Sequence, residues 1–179
     1  MKIPSGYKAL KGSEHSLPKG DKVLKPTSEK EQATVTLVLR RRPGGPKLKE
    51  IKDFSSGLSG NGHANGREQF ADAHGADLNE MNLVADFAKS HGMKVLESNK
   101  ARRSVVVSGS VGTMNKAFAV KMTDYSFARG KYRSYAGTVN VPAPIAKVVE
   151  AVIGLHERVC LHKPRTIRQS GNRATGDRV

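Results

Sequence analysis

Residues 117–155, AFAVKMTDYSFARGKYRSYAGTVNVPAPIAKVVEAVIGL, are the stretch whose reading decides the fold. Ala119–Tyr125 reads as a strand. Tyr132–Tyr135 and Thr138–Val141 read as a small hairpin around Ala136-Gly137. Pro142 suits the first turn of a helix, where its missing N–H costs nothing. Ile145, Val148, Val149, Val152 and Ile153 then fall at i, i+3, i+4, i+7 and i+8. That spacing predicts one buried helical face over 142–153, stopped at Gly154.

Upstream, Ala33–Arg41 (ATVTLVLRR) is β-branched and weakly alternating, the pattern of a first strand. RRPGGP breaks it. A short irregular helix fits Lys47–Phe54, and the glycine-rich run to Gly66 reads as loop. Arg67–His74 is a short helix with Gly75 in the stop position. Asp77-Leu78-Asn79-Glu80 has capping-box form, with Asp77 accepting from Glu80 N–H and Glu80 reaching back. It opens a helix over Leu78–His91 with Leu83, Val84, Phe87 and Ala88 as its apolar stripe, ended by Gly92. Met93–Glu97 and Arg103–Ser108 form a hairpin, and Val111–Phe118 a second helix.

The order β(33–41), α(78–91), β(93–97), β(103–108), α(111–118), β(119–125) is βαββαβ. It predicts an α+β, ferredoxin-like sandwich. Two helices would cover one face of an antiparallel four-stranded sheet, with the C-terminal hairpin and helix added. Residues 33–155 form that domain. Residues 1–32 are rich in Lys, Gly, Pro and Ser without period, and read as a basic flexible arm. Residues 156–179 read as a basic linker or tail, with six Lys/Arg from Arg158 onward against one acid.

Composition agrees with a folded middle between basic ends. Of 179 residues, 37% are hydrophobic, mean hydropathy is −0.50 and net charge is +15. Lys/Arg outnumber Asp/Glu thirteen to six in 1–60, seven to six in 61–120, and eleven to four in 121–179. The single cysteine, Cys160, excludes an intrachain disulfide and a thiolate cluster, and an incidental thiol outweighs a reactive one. MKIPSGYKALKGSEH lacks the apolar core of a secretory signal peptide, and no run approaches the ~18 apolar residues of a membrane span.

No catalytic centre stands out. Ser108-Gly109-Ser110-Val111-Gly112-Thr113 sits where a phosphate loop would, but lacks the Gly-Lys-Ser/Thr ending. A plain strand-to-helix turn is the better reading. None of His15, His63, His74, His91, His156 and His162 has a partner at i+4, which disfavours a metal site. His74 and His91 each precede a helix-ending glycine, where an imidazole suits the helix C-terminus. The basic ends fit three partners: solvent, an acidic protein surface, or nucleic acid. Tyr132, Arg133 and Tyr135 put rings and a cation in one hairpin, as base stacking requires. The strands TVTLVL and SVVVS, however, offer no ring. Nucleic-acid binding is therefore the weaker alternative to docking on an acidic protein.

EQFADAHGADLNEMNLVADFAKSHGMKV, SVVVSGSVGTMNKAFAVKM and YRSYAGTVNVPAPIAKVVEAVIGL together resemble the pro-kumamolisin activation domain. That is the propeptide of sedolisin, or serine-carboxyl, peptidases. The resemblance rests on His74-Gly75, His91-Gly92, the A-F-x-V strand at Ala117–Val120, the aromatic-x-x-Tyr pair Tyr132–Tyr135, Val141-Pro142 and Gly154-Leu155, in that order. It spans roughly residues 33–155 and implies a ferredoxin-like propeptide fold. It implies an exported zymogen whose propeptide is intramolecular chaperone and inhibitor of a cognate protease domain in cis, with no membrane partner. Tyr132, Arg133 and Tyr135 become the candidate docking edge. The tail would cross the active-site cleft and be cut within Leu161–Val179, with His162, Lys163, Arg165 and Arg168 in that region. The family's catalytic Glu, Asp and Ser-Gly-Thr-Ser serine, and its calcium site, belong to a catalytic domain. Ser108-Gly109-Ser110 is not that motif, so no cofactor and no enzyme activity are expected of this chain.

Overall fold

The computed structural model describes residues 3–46, 67–128 and 130–157, with backbone alone at 67–70. Nine strands and four helices lie among them. The strands are β1 (Tyr7–Ala9), β2 (Lys22–Pro26), β3 (Gln32–Leu39), β4 (Lys94–Asn99), β5 (Ser104–Ser110), β6 (Thr123–Phe127), β7 (Gly130–Ser134), β8 (Asn140–Pro142) and β9 (Val149–Ile153). The helices are α1 (Arg67–His74), α2 (Leu78–Ser90), α3 (Val111–Phe118) and α4 (Ala143–Ala146).

The central sheet has the order β4-β5-β3-β9, every neighbour antiparallel. Taken with α2 between β3 and β4, and α3 between β5 and β9, this is the ferredoxin-like βαββαβ topology expected from the sequence. Strict alternation in β3 buries Ala33, Val35, Leu37 and Leu39. Val35 stands opposite Val107, and Leu37 opposite Val105, so these four line one face. Onto that face pack Met81, Val84, Phe87 and Ala88 of α2 and Val111, Met114, Ala117 and Phe118 of α3. Leu83, expected in the stripe, is instead 41% exposed.

The helix ends follow local chemistry. Asp77 Oδ1 accepts from Asn79 N–H at 2.9 Å and Glu80 N–H at 3.1 Å, an N-cap worth about 1 kcal/mol. The reciprocal half of the capping box is absent, because Glu80 pairs with Arg40 at the end of β3. That ion pair ties the start of α2 to the sheet. At the other end, Gly92 at φ +78° lets Met93 N–H reach Ala88 O at 2.9 Å.

Three expectations give way. The fourth strand of the sheet is β9, not Ala119–Tyr125. Ala119 caps α3 in the left-handed conformation, and β6 begins four residues later, pairing with β2 and β7 in a separate three-stranded sheet. The helix over 142–153 is only α4, followed by a strand. And Tyr132–Tyr135 forms no hairpin with Thr138–Val141: β7 pairs with β6, while β8 pairs with β1. The segment 1–32 accordingly carries two strands, and Leu10 is buried in the core. The helix expected over Lys47–Phe54, and Cys160, lie outside the described residues.

Candidate functional site

Tyr132 and Arg133 of β7 and, just beyond it, Tyr135 are each buried and anchored by residues distant in sequence. Tyr132 stacks on Tyr125 of β6 at 5.6 Å and donates its hydroxyl to Asp21 Oδ2 at 2.6 Å. Arg133 donates from Nη1 to Glu31 Oε1 at 2.6 Å and from Nη2 to Glu157 Oε1. Tyr135 donates its hydroxyl to Ser13 O at 3.0 Å, and burial first, then the Glu14 carboxylate, pushes that hydroxyl above its ordinary pKa. The three residues are 6%, 4% and 7% exposed. They are internal anchors that hold the N-terminal segment and residue 157 onto β7. Neither a protein edge nor a nucleic-acid base meets an exposed ring here. His162, Lys163, Arg165 and Arg168 lie outside the described residues.

Around these anchors the rings continue. His15 lies 5.4 Å from Tyr135 and 4.5 Å from His156, and His156 Nδ1 is 2.8 Å from Ser134 Oγ. The sequence showed no pairing of His15 with His156. Their contact follows from the bridge between His15 and Gly137, a non-local pairing that no spacing rule reveals. Beside them a cleft of about 190 Å³ is lined by Leu10, Ser13, Glu14, His15, Tyr135 and Glu150. That is below the about 300–1,000 Å³ of small-molecule sites. Among the described residues no group of three His, Cys, Asp or Glu is placed to hold a metal ion.

The Ser108–Thr113 segment is a strand-to-helix turn. Ser110 Oγ accepts from Thr113 N–H at 3.1 Å, while Val111 and Gly112 N–H donate to Glu31 O and Glu29 O. The amides that a phosphate would use are bonded to the protein itself.

The surface available to a partner is the other face of the central sheet. The register puts Thr34 opposite Ser108, Thr36 opposite both Val106 and Ile153, and Val38 opposite Ala151. These residues are half-buried or exposed, and Ile153 is 59% exposed. Both helices that contact this sheet over the core lie on the opposite side. Among the described residues, an apolar and hydroxyl-bearing face is thus left partly open to solvent. No helix among them is long and apolar enough to cross a membrane.

The family model for "Pro-kumamolisin, activation domain" matches residues 19–158. The matched span begins inside the segment expected to be an arm, upstream of β2. Kumamolisin from Bacillus sp. (strain MN-32) is 37% identical over 134 residues, covering 74% of this chain and 24% of that protein. The chain thus spans about a quarter of the length of this curated relative. With the βαββαβ sheet, the two Gly-stopped helices and β7 all inside the matched span, the chain belongs to the pro-kumamolisin activation domain family.

Proposed function

We propose that the chain acts as the propeptide of a secreted serine-carboxyl (sedolisin) peptidase. It templates and inhibits a catalytic domain in cis until the linker after the domain is cut. The reading is carried by the family match over 19–158, and the half-open sheet supports it. The chain itself does no catalysis in this reading. The serine-type endopeptidase activity and the calcium site reside in the catalytic domain of the precursor, which is exported.

The uncovered sheet face is the docking surface. It has an apolar centre at Val38, Val106, Ala151 and Ile153, the kind of surface a protein partner covers. Replacing Val106 by glutamate puts a charge at that centre. Inhibition of the mature peptidase, added in trans, should weaken about 10- to 100-fold, or about 1.4–2.8 kcal/mol. The thermal midpoint should fall only modestly, because Val106 is half-buried on the face away from the core. Undiminished inhibition would place docking elsewhere.

Release follows from charge. A chain of net charge +15 is held against an acidic catalytic domain partly by ion pairs, which vanish as the partner's carboxylates take up protons. Carboxylates paired in the complex hold their protons less tightly than when free. The attraction is therefore complete at neutral pH and fades as pH falls through the carboxylate range. The affinity of the full chain for the mature peptidase should drop at least about tenfold between pH 7 and pH 4, measured by titration calorimetry or inhibition. An affinity that stays constant or tightens on acidification would rule out this trigger.

A further inference from the structure

The four-residue run Gly154–Glu157 follows β9 and precedes, in sequence, a stretch of six Lys/Arg and one acid. The domain grips it there by several independent contacts. Leu155 is 1% exposed. His156 sits between His15 and Tyr132, with ring centroids 4.5 and 5.5 Å away. Glu157 is held twice by one residue: its N–H donates to Arg133 O at 2.9 Å, and its carboxylate accepts from Arg133 Nη2. The other arm of the same guanidinium grips Glu31, just ahead of β3.

We propose that Arg133 is a positioning residue, a clamp that fixes the point and direction in which the chain leaves the domain at Glu157. An arginine is needed because one planar guanidinium must serve two carboxylates from two segments at once, which an ammonium on a flexible stem does poorly. The guanidinium's side chain is 3% exposed, while Glu31 and Glu157 are about half exposed. The cation is therefore built into the domain, and Glu157 is the movable half. Opening the clamp loosens residues 155–157 and leaves the sheet intact. Resting on the propeptide reading, the consequence is that the clamp aims the linker at the cleft of the catalytic domain, and its opening gives a protease slack chain to cut.

The test reads the clamp directly in the full chain, by amide hydrogen exchange of Glu157→Gln, Arg133→Lys and the unaltered protein. Glu157→Gln removes a half-exposed charge and should leave the fold in place. It should raise exchange at residues 155–157 about tenfold, with Leu37 and Val107 unchanged. Arg133→Lys keeps the charge but loses the fork, and should raise exchange at the same residues. Exchange at 155–157 that stays as in the unaltered protein, or that rises equally throughout the domain, overturns the proposal. Inhibition of the mature peptidase in trans is a separate readout. A chain that fails to inhibit refutes the propeptide reading and leaves the clamp standing, whereas an inhibitory chain with unchanged exchange refutes the clamp alone.

Discussion

Phe118→Ala is expected to destabilise the protein by about 3–5 kcal/mol, the largest effect of any single truncation in the core. Among the described residues, Phe118 is the largest of the fully buried side chains, at 0% exposure. It closes the last turn of α3 and meets Phe87 of α2 edge-to-face at 6.1 Å, an interplanar angle of 64°. The ring therefore joins both helices over the same sheet face. Its removal leaves a cavity that close-packed β-strand residues on one side cannot fill without shifting the sheet. Ala119 immediately follows in the left-handed conformation, so α3 cannot simply extend or rotate to compensate. Total stabilities of single domains run about 5–15 kcal/mol, which makes the loss about a fifth or more. Urea denaturation should show a fall in midpoint with little change of slope. Phe118→Leu, which retains most of the volume, should lose less than half as much. A loss below about 1 kcal/mol for the alanine variant would mean that the two helices are not coupled through this ring.

The elements that the sequence makes legible are those whose pattern is local. β3 alternates residue by residue, α2 begins at a side-chain cap and ends at a glycine, and α3 begins at Ser110 in the same manner. What was missed depends on partners distant in sequence. β2 is exposed along its whole length, with a burial pattern that contains no inward position, so nothing in KVLKP signals a strand. It exists because its backbone pairs with β6 about a hundred residues later. The same holds for β1 against β8. The burial of Tyr132, Arg133 and Tyr135 has a related reason. Tyr132, Arg133 and Tyr135 carry the composition of a contact surface, but their partners Asp21, Glu31 and Ser13 come from the segment read as an arm. Once that segment folds over β7, the same side chains become interior.

The helix-like spacing over 142–153 conceals a strand for a sharper reason, a bulge against β3. Val149 and Val152 are spaced by three, like positions on a helix face. In the structure both turn toward the core from a strand: a bulge between Val38 and Leu39 sets Leu39 opposite Val149 and Val38 opposite Ala151, leaving Glu150 as the extra residue. An added residue in one strand shifts the inward positions from a spacing of two to three. The β-branched Val148, Val149, Val152 and Ile153 favour the strand once β3 is there to pair with. Gly154, taken from the sequence as a helix stop, is therefore the end of an edge strand, and its glycine answers a different demand. It lies at φ +106°, and a Cβ there would stand 2.5 Å from Thr34 O and 3.3 Å from Val35 Cα. Both are backbone atoms of the central strand β3, so neither can yield as a flexible side chain would. Gly154→Ala must bear the backbone strain, about 1–3 kcal/mol, and also push β9 off β3. The expected loss is about 3 kcal/mol or more. Because β9 is an edge strand, the loss should fall unevenly. Amides of Thr36 and Val38 and of β9 itself should exchange much faster, while the β4–β5 pairing on the far edge keeps its protection. A stabilised or neutral Gly154→Ala variant would mean that Gly154 does not hold β9 against β3, and that the exit of the chain is set by Arg133 alone.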